Sequence, residues 1–147
     1  MTDLGDFARL ASLERGLCVV STLRADSTIS SSVVNAGVLL HPISGQPVVG
    51  FVARGTAKRL GNLRRTPYLS IVVRAGVRWV TAEGTTELIG PDDPFPGVDP
   101  ERLRLLIREI FTSAGGQHDD WDAFDAVMSL ERRVAVLTTP VRCYSNP

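Results

Sequence analysis

Between Arg54 and Pro67 the sequence reads RGTAKRLGNLRRTP, a stretch that holds five of the sixteen basic side chains and the only lysine, Lys58. Ala57, Leu60 and Leu63 share one helical face, and Lys58, Asn62 and Arg65 fall on the opposite one at i, i+4, i+7. Thr56 reads as the N-cap of a short helix, with Pro67 just past its end. Free backbone N–H groups at a helix N-terminus attract anions, whereas cations placed beside them oppose the helix dipole. Arg54, Lys58 and Arg59 around that first turn therefore make sense about a bound phosphate. The competing reading is a solvated basic face.

Two further stretches have the residue types to meet a ligand. TISSSVVN, with Ser32, Val34 and Asn35, is rich in small hydroxyls for a core strand. Such residues let a ligand approach the backbone and bond to it, or else they form an exposed polar face. Trp79 in GVRWVTAEG is either core, a platform for a flat heterocycle, or a contact for a second subunit. Arg78 then points to the other side of the same strand.

Other chemistries lack their residues. No G-x-G-x-x-G follows a strand, and GTAKRLG lacks the G-K-[ST] ending of a phosphate-binding P-loop. His41 and His118 have no G-x-S-x-G serine or paired acid to work with, so both read as structural or solvent-facing. Cys18 and Cys143 are far apart, without a C-x-x-C or a histidine cluster, and read as small hydrophobes; no metal site is expected. Sixteen basic and sixteen acidic residues give zero net charge, which argues against nucleic acid and membrane surfaces as partners. The charge is uneven along the chain: residues 1–78 carry ten basic and four acidic residues (+6), residues 79–147 six and twelve (−6). No apolar run reaches the roughly 20 residues of a membrane span, and MTDLGDFARLASLERG lacks the basic and apolar regions of a signal peptide, so a cytoplasmic protein is expected.

The elements that must hold these residues follow from periodicity. Phe7, Leu10, Ala11 and Leu13 predict a first helix ended by Gly16. LCVVSTLR, TISSSVVNAGVLL and PVVGFVAR then predict three strands in a meander, with Gly37 as a possible bulge. After the basic helix come YLSIVVR and GVRWVTAEGTTELIG, the latter bent at Gly84. Leu103, Leu106, Ile107, Ile110 and Phe111 predict a helix capped by Asp99 and opened by Pro100, which Gly115 and Gly116 stop. HDDWDAFDAVMSLE predicts another, with Trp121, Phe124, Val127 and Met128 inward and aspartates in its first turn. RRVAVLTTPVRCYS supplies a sixth strand, with Pro140 marking an edge or break. The expected fold is mainly β: a single domain over residues 1–147, built as a six-stranded antiparallel split β-barrel with flanking helices.

These segments, in this order, resemble the pyridoxamine 5′-phosphate oxidase-like, FMN-binding split-barrel flavoproteins. They are closer still to the actinobacterial group that uses the deazaflavin coenzyme F-420. LRADSTISSSVVNAGVL resembles the family's first hairpin, AKRLGNLRRTPYLSIVV its phosphate-site helix and following strand, and RAGVRWVTAEGTTELIGP its long central strand. HDDWDAFDAVMSLERRVAVLTTPVRCYSNP resembles the C-terminal signature of the deazaflavin group. The chain departs from those relatives at Val77, where a tryptophan is expected.

The resemblance implies a homodimer with cofactors in grooves between subunits, and a phosphate held by Lys58 and Arg59, with Asn62 on the face of Lys58. It implies that Ser32, Val34 and Asn35 line the ring system and that Arg78 and Trp79 approach the ring or its side chain. It further implies hydride transfer from C5 of the reduced deazaflavin to an unsaturated small molecule, the protein supplying orientation and exclusion of water. Two alternatives accompany this reading, an FMN-binding flavoprotein and a carrier that binds the cofactor without turnover.

Overall fold

Cys18, Val20 and Thr22 are buried and alternate with more exposed neighbours, the period-two pattern of a strand with one face against a core. The same alternation recurs along much of the chain. The computed structural model describes residues 1–147. Its elements are α1 (Leu4–Leu13), β1 (Leu17–Leu23), β2 (Ile29–Leu40), β3 (Pro47–Ala53), α2 (Lys58–Arg65), β4 (Tyr68–Ala75), β5 (Arg78–Ile89), α3 (Pro100–Ser113), α4 (Trp121–Leu130) and β6 (Val134–Ser145). The strands close into a barrel in the order β1-β2-β3-β6-β5-β4, every pair antiparallel. Closure leaves no unpaired edge.

Val20, Phe51, Ile71, Val73 and Val136 belong to the main core, joined by Phe7 and Leu10 of α1 and by Leu60 and Leu63 of α2. A second core lies outside the barrel, where Leu106 and Ile110 of α3 pack with Val48, Ala135 and Leu137. Strands β3 and β6 are thus covered on both faces, which is why PVVGFVA and VAVLTT are continuous apolar runs rather than alternating ones. Asp99 caps α3, its carboxylate accepting from the Arg102 amide at 2.7 Å, and Pro100 opens the first turn. No helix is long and apolar enough to cross a membrane.

Several local expectations are corrected. Gly37 is no bulge, since it pairs with Gly50 in regular register. A Cβ there would lie 2.3 Å from the Ser113 carbonyl carbon and oxygen, so glycine is required by the close approach of α3. The bulge lies between β5 and β6: Glu83 faces Arg142 while Gly84 faces Pro140, which leaves Val141 as the extra residue. Gly84 lies at this register shift, with no room for a Cβ against the Thr139 carbonyl oxygen, and Pro140 marks the same irregularity rather than an edge.

Leu13 is 71% exposed, because α1 ends as it leaves the barrel. On α4 only Phe124 is buried, and Val127 is 48% exposed, because the helix lies at the periphery with a single residue reaching the core. Ala57, not Thr56, is the N-cap of α2 and makes no side-chain bond to its amides, because the turn from Arg54 to Ala57 sets the helix start one residue later.

Both histidines are structural or solvent-facing. Nδ1 of His41 accepts from the amides of Ile43 and Ser44 at 3.1 and 3.2 Å, which leaves Nε2 to donate to Glu87 at 3.1 Å. His118 is exposed at the approach to α4. The cysteines are free, and burial pushes the Cys18 thiol up to about 12, as befits an inert core residue.

Candidate functional site

The turn from β3 to α2 is fixed from outside. The Gly55 amide donates to the Glu131 carbonyl at 3.1 Å, and a Cβ on Gly55 would come within 2.7 Å of the Arg132 carbonyl oxygen. This contact brings the start of α2 against the end of α4. Between them and β2 lies a cleft of about 720 Å³. Val33, Val34, Val52, Phe111, Phe124 and Met128 supply its apolar lining, with Gly115 and Gly116 beside them, and the Phe111 and Phe124 rings pack at 4.9 Å. Arg15, Arg54, Arg59 and Arg133 supply the charge.

Only one carboxylate answers these four cations. Glu131 takes Arg54 on one oxygen at 2.9 Å and the Nε and terminal nitrogen of Arg133 on the other at 3.0 and 2.9 Å. Four positive groups against one negative leave a net +3 in and beside the cleft. Arg59 is the most exacting of them. It is half-buried and has no acidic partner, and burial pulls its guanidinium below the ordinary value. Its Nε and one terminal nitrogen donate to Ser32 Oγ at 3.3 and 3.2 Å. The other three N–H donors of its fork have no protein acceptor. A partly desolvated cation so placed is an anion site by its chemistry.

The residues anticipated from sequence divide into two groups. Arg54, Thr56, Arg59, Val34 and Asn35 come together in the cleft, and Ser32 joins through Arg59. Lys58 is exposed at the first position of α2 and does not line it. Asn62 is occupied elsewhere, donating to Thr22 Oγ1 and accepting from Arg65, each at 3.1 Å. Arg78 and Trp79 open β5 away from the cleft. Trp79 lines an apolar recess on the outer barrel face with Leu17, Val19, Val33, Val72 and Val77, and meets Tyr144 edge-on at 6.1 Å. Arg78 is exposed at the first position of β5.

Arg15, Phe111, Phe124, Met128 and Arg133 were not anticipated as site residues. The helical faces of Phe111, Phe124 and Met128 were legible, but they read as core. Nothing local in the sequence marks Arg15 or Arg133, because only closure of the barrel brings their segments beside α2.

The α4 wall depends on an ion cluster. Asp125 accepts from Arg108 Nε at 2.9 Å and from Arg104 at 2.8 Å, with a second, shorter bond from Arg108. These partners, Arg108 first, hold its carboxyl below the usual range. The folded value is thus below the unfolded one of about 3.9. Its stabilisation is therefore complete above that pH and is lost as pH falls through the folded value. Urea unfolding of wild type and Asp125→Asn is expected to show a stability gap that is constant from about pH 7 to 5 and closes below about pH 4. A gap independent of pH would show that the cluster contributes nothing through ionisation.

No family model matches the sequence. Among solved structures, the chain is similar to a pyridoxamine 5′-phosphate oxidase-related, FMN-binding protein from Nostoc punctiforme, at 12% identity over 96% of this chain and 81% of that one, TM-score 0.66. It is also similar to an F420 reductase, at 14% identity over 88% of this chain and 90% of that one, TM-score 0.59. A third similar structure is HutZ, the heme storage protein of Vibrio cholerae, at 13% identity over 97% of this chain and 94% of that one, TM-score 0.59. The chain thus has the split-barrel fold of the pyridoxamine 5′-phosphate oxidase-like, FMN-binding proteins. That fold is shared by reductases and by storage proteins, so the activity must be argued from the cleft.

Proposed function

We propose that the chain is a deazaflavin-dependent reductase of this split-barrel class, acting as one domain over residues 1–147. Reduced coenzyme F-420 would pass a hydride to an unsaturated small molecule. The observation that carries the proposal is Arg59: a half-buried guanidinium without a carboxylate, at the start of α2, in a largely apolar cleft. Such a cleft suits a planar apolar ring system joined to a phosphate. Arg59 would take the phosphate, while Val34 and the Phe111–Phe124 wall would flank the ring. The segment that carries the sequence resemblance to the deazaflavin group contributes Phe124, Met128 and Arg133 to this cleft, which supports F-420 over FMN.

A homodimer is part of the proposal. Leu17, Val19, Val33 and Val77 are exposed on one apolar barrel face around Trp79. Val33 belongs to both that face and the cleft, so a second copy seated there would border the cofactor. Sedimentation at the mass of one chain, at all attainable concentrations, would remove the dimer.

Turnover is tested by following the absorbance of the reduced deazaflavin with candidate acceptors in the presence of the protein. Oxidation that depends on both protein and acceptor supports the reductase. Tight binding without oxidation by any acceptor supports the carrier instead.

A further inference from the structure

Behind α4, on the side away from the cleft, the chain borders a second cavity, of about 870 Å³. Its floor is apolar: Ile89 at the end of β5, Leu103 and Ile107 of α3, and Phe95 and Val98 of the loop that joins them. The opening follows from what α4 turns toward that floor. Phe124 and Met128 line the cleft, whereas Asp122, Asp125, Ala126 and Ser129 line the cavity. Ala126 and Ser129 are small, and Asp125 is engaged by Arg104 and Arg108 of α3, long side chains that bridge the two helices rather than fill the space between them. Met128, which borders both hollows, is the one large apolar side chain that α4 brings to this floor.

The loop wall is held rigidly. Pro91, Pro94 and Pro96 restrict its backbone, Gly90 pairs with Asp93 and Phe95 with Val98, and Arg64 of α2 donates twice to Asp93, at 2.9 and 2.6 Å. Arg132, just past α4, donates to the neighbouring Asp92 at 2.6 Å.

The charged groups around the cavity already have partners. Arg104 donates to Glu101 and Asp125, Arg133 donates to Glu131, and Asp99 accepts from the Arg102 amide. Asp122 alone makes no bond, and it is exposed to water. An ionic ligand would have to break one of these pairs and leave a charge behind, whereas a neutral one gives up nothing. The cleft is the reverse case, since Arg59 there has no acidic partner.

We infer that the cavity behind α4 is a second small-molecule site, one that takes a neutral, apolar ring or chain compound. Its volume and apolar floor are those of ordinary ligand pockets. α4 is the partition between this site and the cleft, and the chemistry of each side is independent of what the other binds.

The isoleucines report on the two sites separately, because Ile89 and Ile107 line the cavity and Ile110 lines the cleft. Protein with isotope-labelled isoleucine methyls is titrated by NMR with naphthylmethanol, naphthylmethylamine and naphthalenesulfonate, which present one ring system as a neutral, a cationic and an anionic ligand. The alcohol is expected to shift Ile89 and Ile107 saturably and well beyond Ile110, and to bind the cavity about tenfold or more tighter than either ion. Ala126→Trp and Ser129→Trp place a large ring at the mouth from exposed helix positions. Each is expected to weaken binding of the alcohol by about tenfold. No saturable shift of Ile89 and Ile107, shifts led by Ile110, an ion that binds the cavity as tightly as the alcohol, or full affinity in both variants overturns the site. Shifts of Ile89 and Ile107 that follow protein concentration without the alcohol would give this face to a second copy of the chain, and overturn it as well.

Discussion

Arg59→Met is expected to weaken binding of a phosphate-bearing cofactor by about 1.5–3 kcal/mol, a factor of roughly 10 to 150, while leaving the apo protein at least as stable as the wild type. The two effects have opposite signs for one reason. In the free protein the guanidinium is half-buried, its only acceptor is Ser32 Oγ, and desolvation lowers its pKa. An unpaired, partly desolvated cation is a cost to folding that methionine of similar length removes. With a phosphate bound, the same cation gains a charge-assisted partner in a low-dielectric cleft. Cofactor titration and urea unfolding of one preparation check both halves. The sequence alone places this role first on Lys58, where alanine would be expected to cost about 1–3 kcal/mol. Because Lys58 is exposed and outside the cleft lining, its loss is now expected to cost less than that of Arg59. Unchanged affinity in a folded Arg59→Met variant would contradict the phosphate assignment.

Gly37→Ala is expected to destabilise the fold by about 3 kcal/mol, the upper end of ordinary overpacking. The added methyl would sit 2.3 Å from the Ser113 carbonyl carbon and oxygen and 2.7 Å from the Ala114 nitrogen. Those are backbone atoms in the last turn of α3 and its cap, so relief requires the helix end to move away from β2. Ala114, Gly115 and Gly116 border the cleft just beyond, and cofactor affinity is expected to fall with stability. Gly61→Ala is the control: it lies in α2 with no atom within 4 Å of its Cβ position, and is expected to stabilise by roughly 0.5–1 kcal/mol. Equal midpoints for Gly37→Ala and wild type would show that α3 yields without cost.

The barrel was legible in the sequence because its determinants are local. Alternation in LCVVSTLR, the turn residues between strands and the Asp99–Pro100 helix start each act within a few residues. What failed depended on a distant neighbour. Gly37 is fixed by Ser113, which belongs to a helix formed after five strands are complete, and no period along β2 reports it. Leu13 and Val127 obey helical spacing but have no surface to cover them, since periodicity predicts a face and not its partner.

The candidate site divides in the same way. Arg54, Thr56 and Arg59 lie close in sequence and stay together, and β2 carries Ser32, Val34 and Asn35 to them by pairing. Choosing Arg59 over Lys58 required the direction in which α2 faces the barrel, which helical spacing alone leaves open. Trp79 reads from sequence as core, a heterocycle platform or a subunit contact, with Arg78 beside it on the strand. They lie on a different face, where they would bear on the cofactor only across a second copy of the chain.

Side-by-side titration of the purified protein with coenzyme F-420 and FMN, repeated on Arg59→Met, tests the central claim most directly. The account predicts saturable binding of F-420 in preference to FMN, weakened by about tenfold or more in the variant. A protein that emerges with a flavin spectrum and takes up no F-420, or one that binds either cofactor equally well without Arg59, would contradict it.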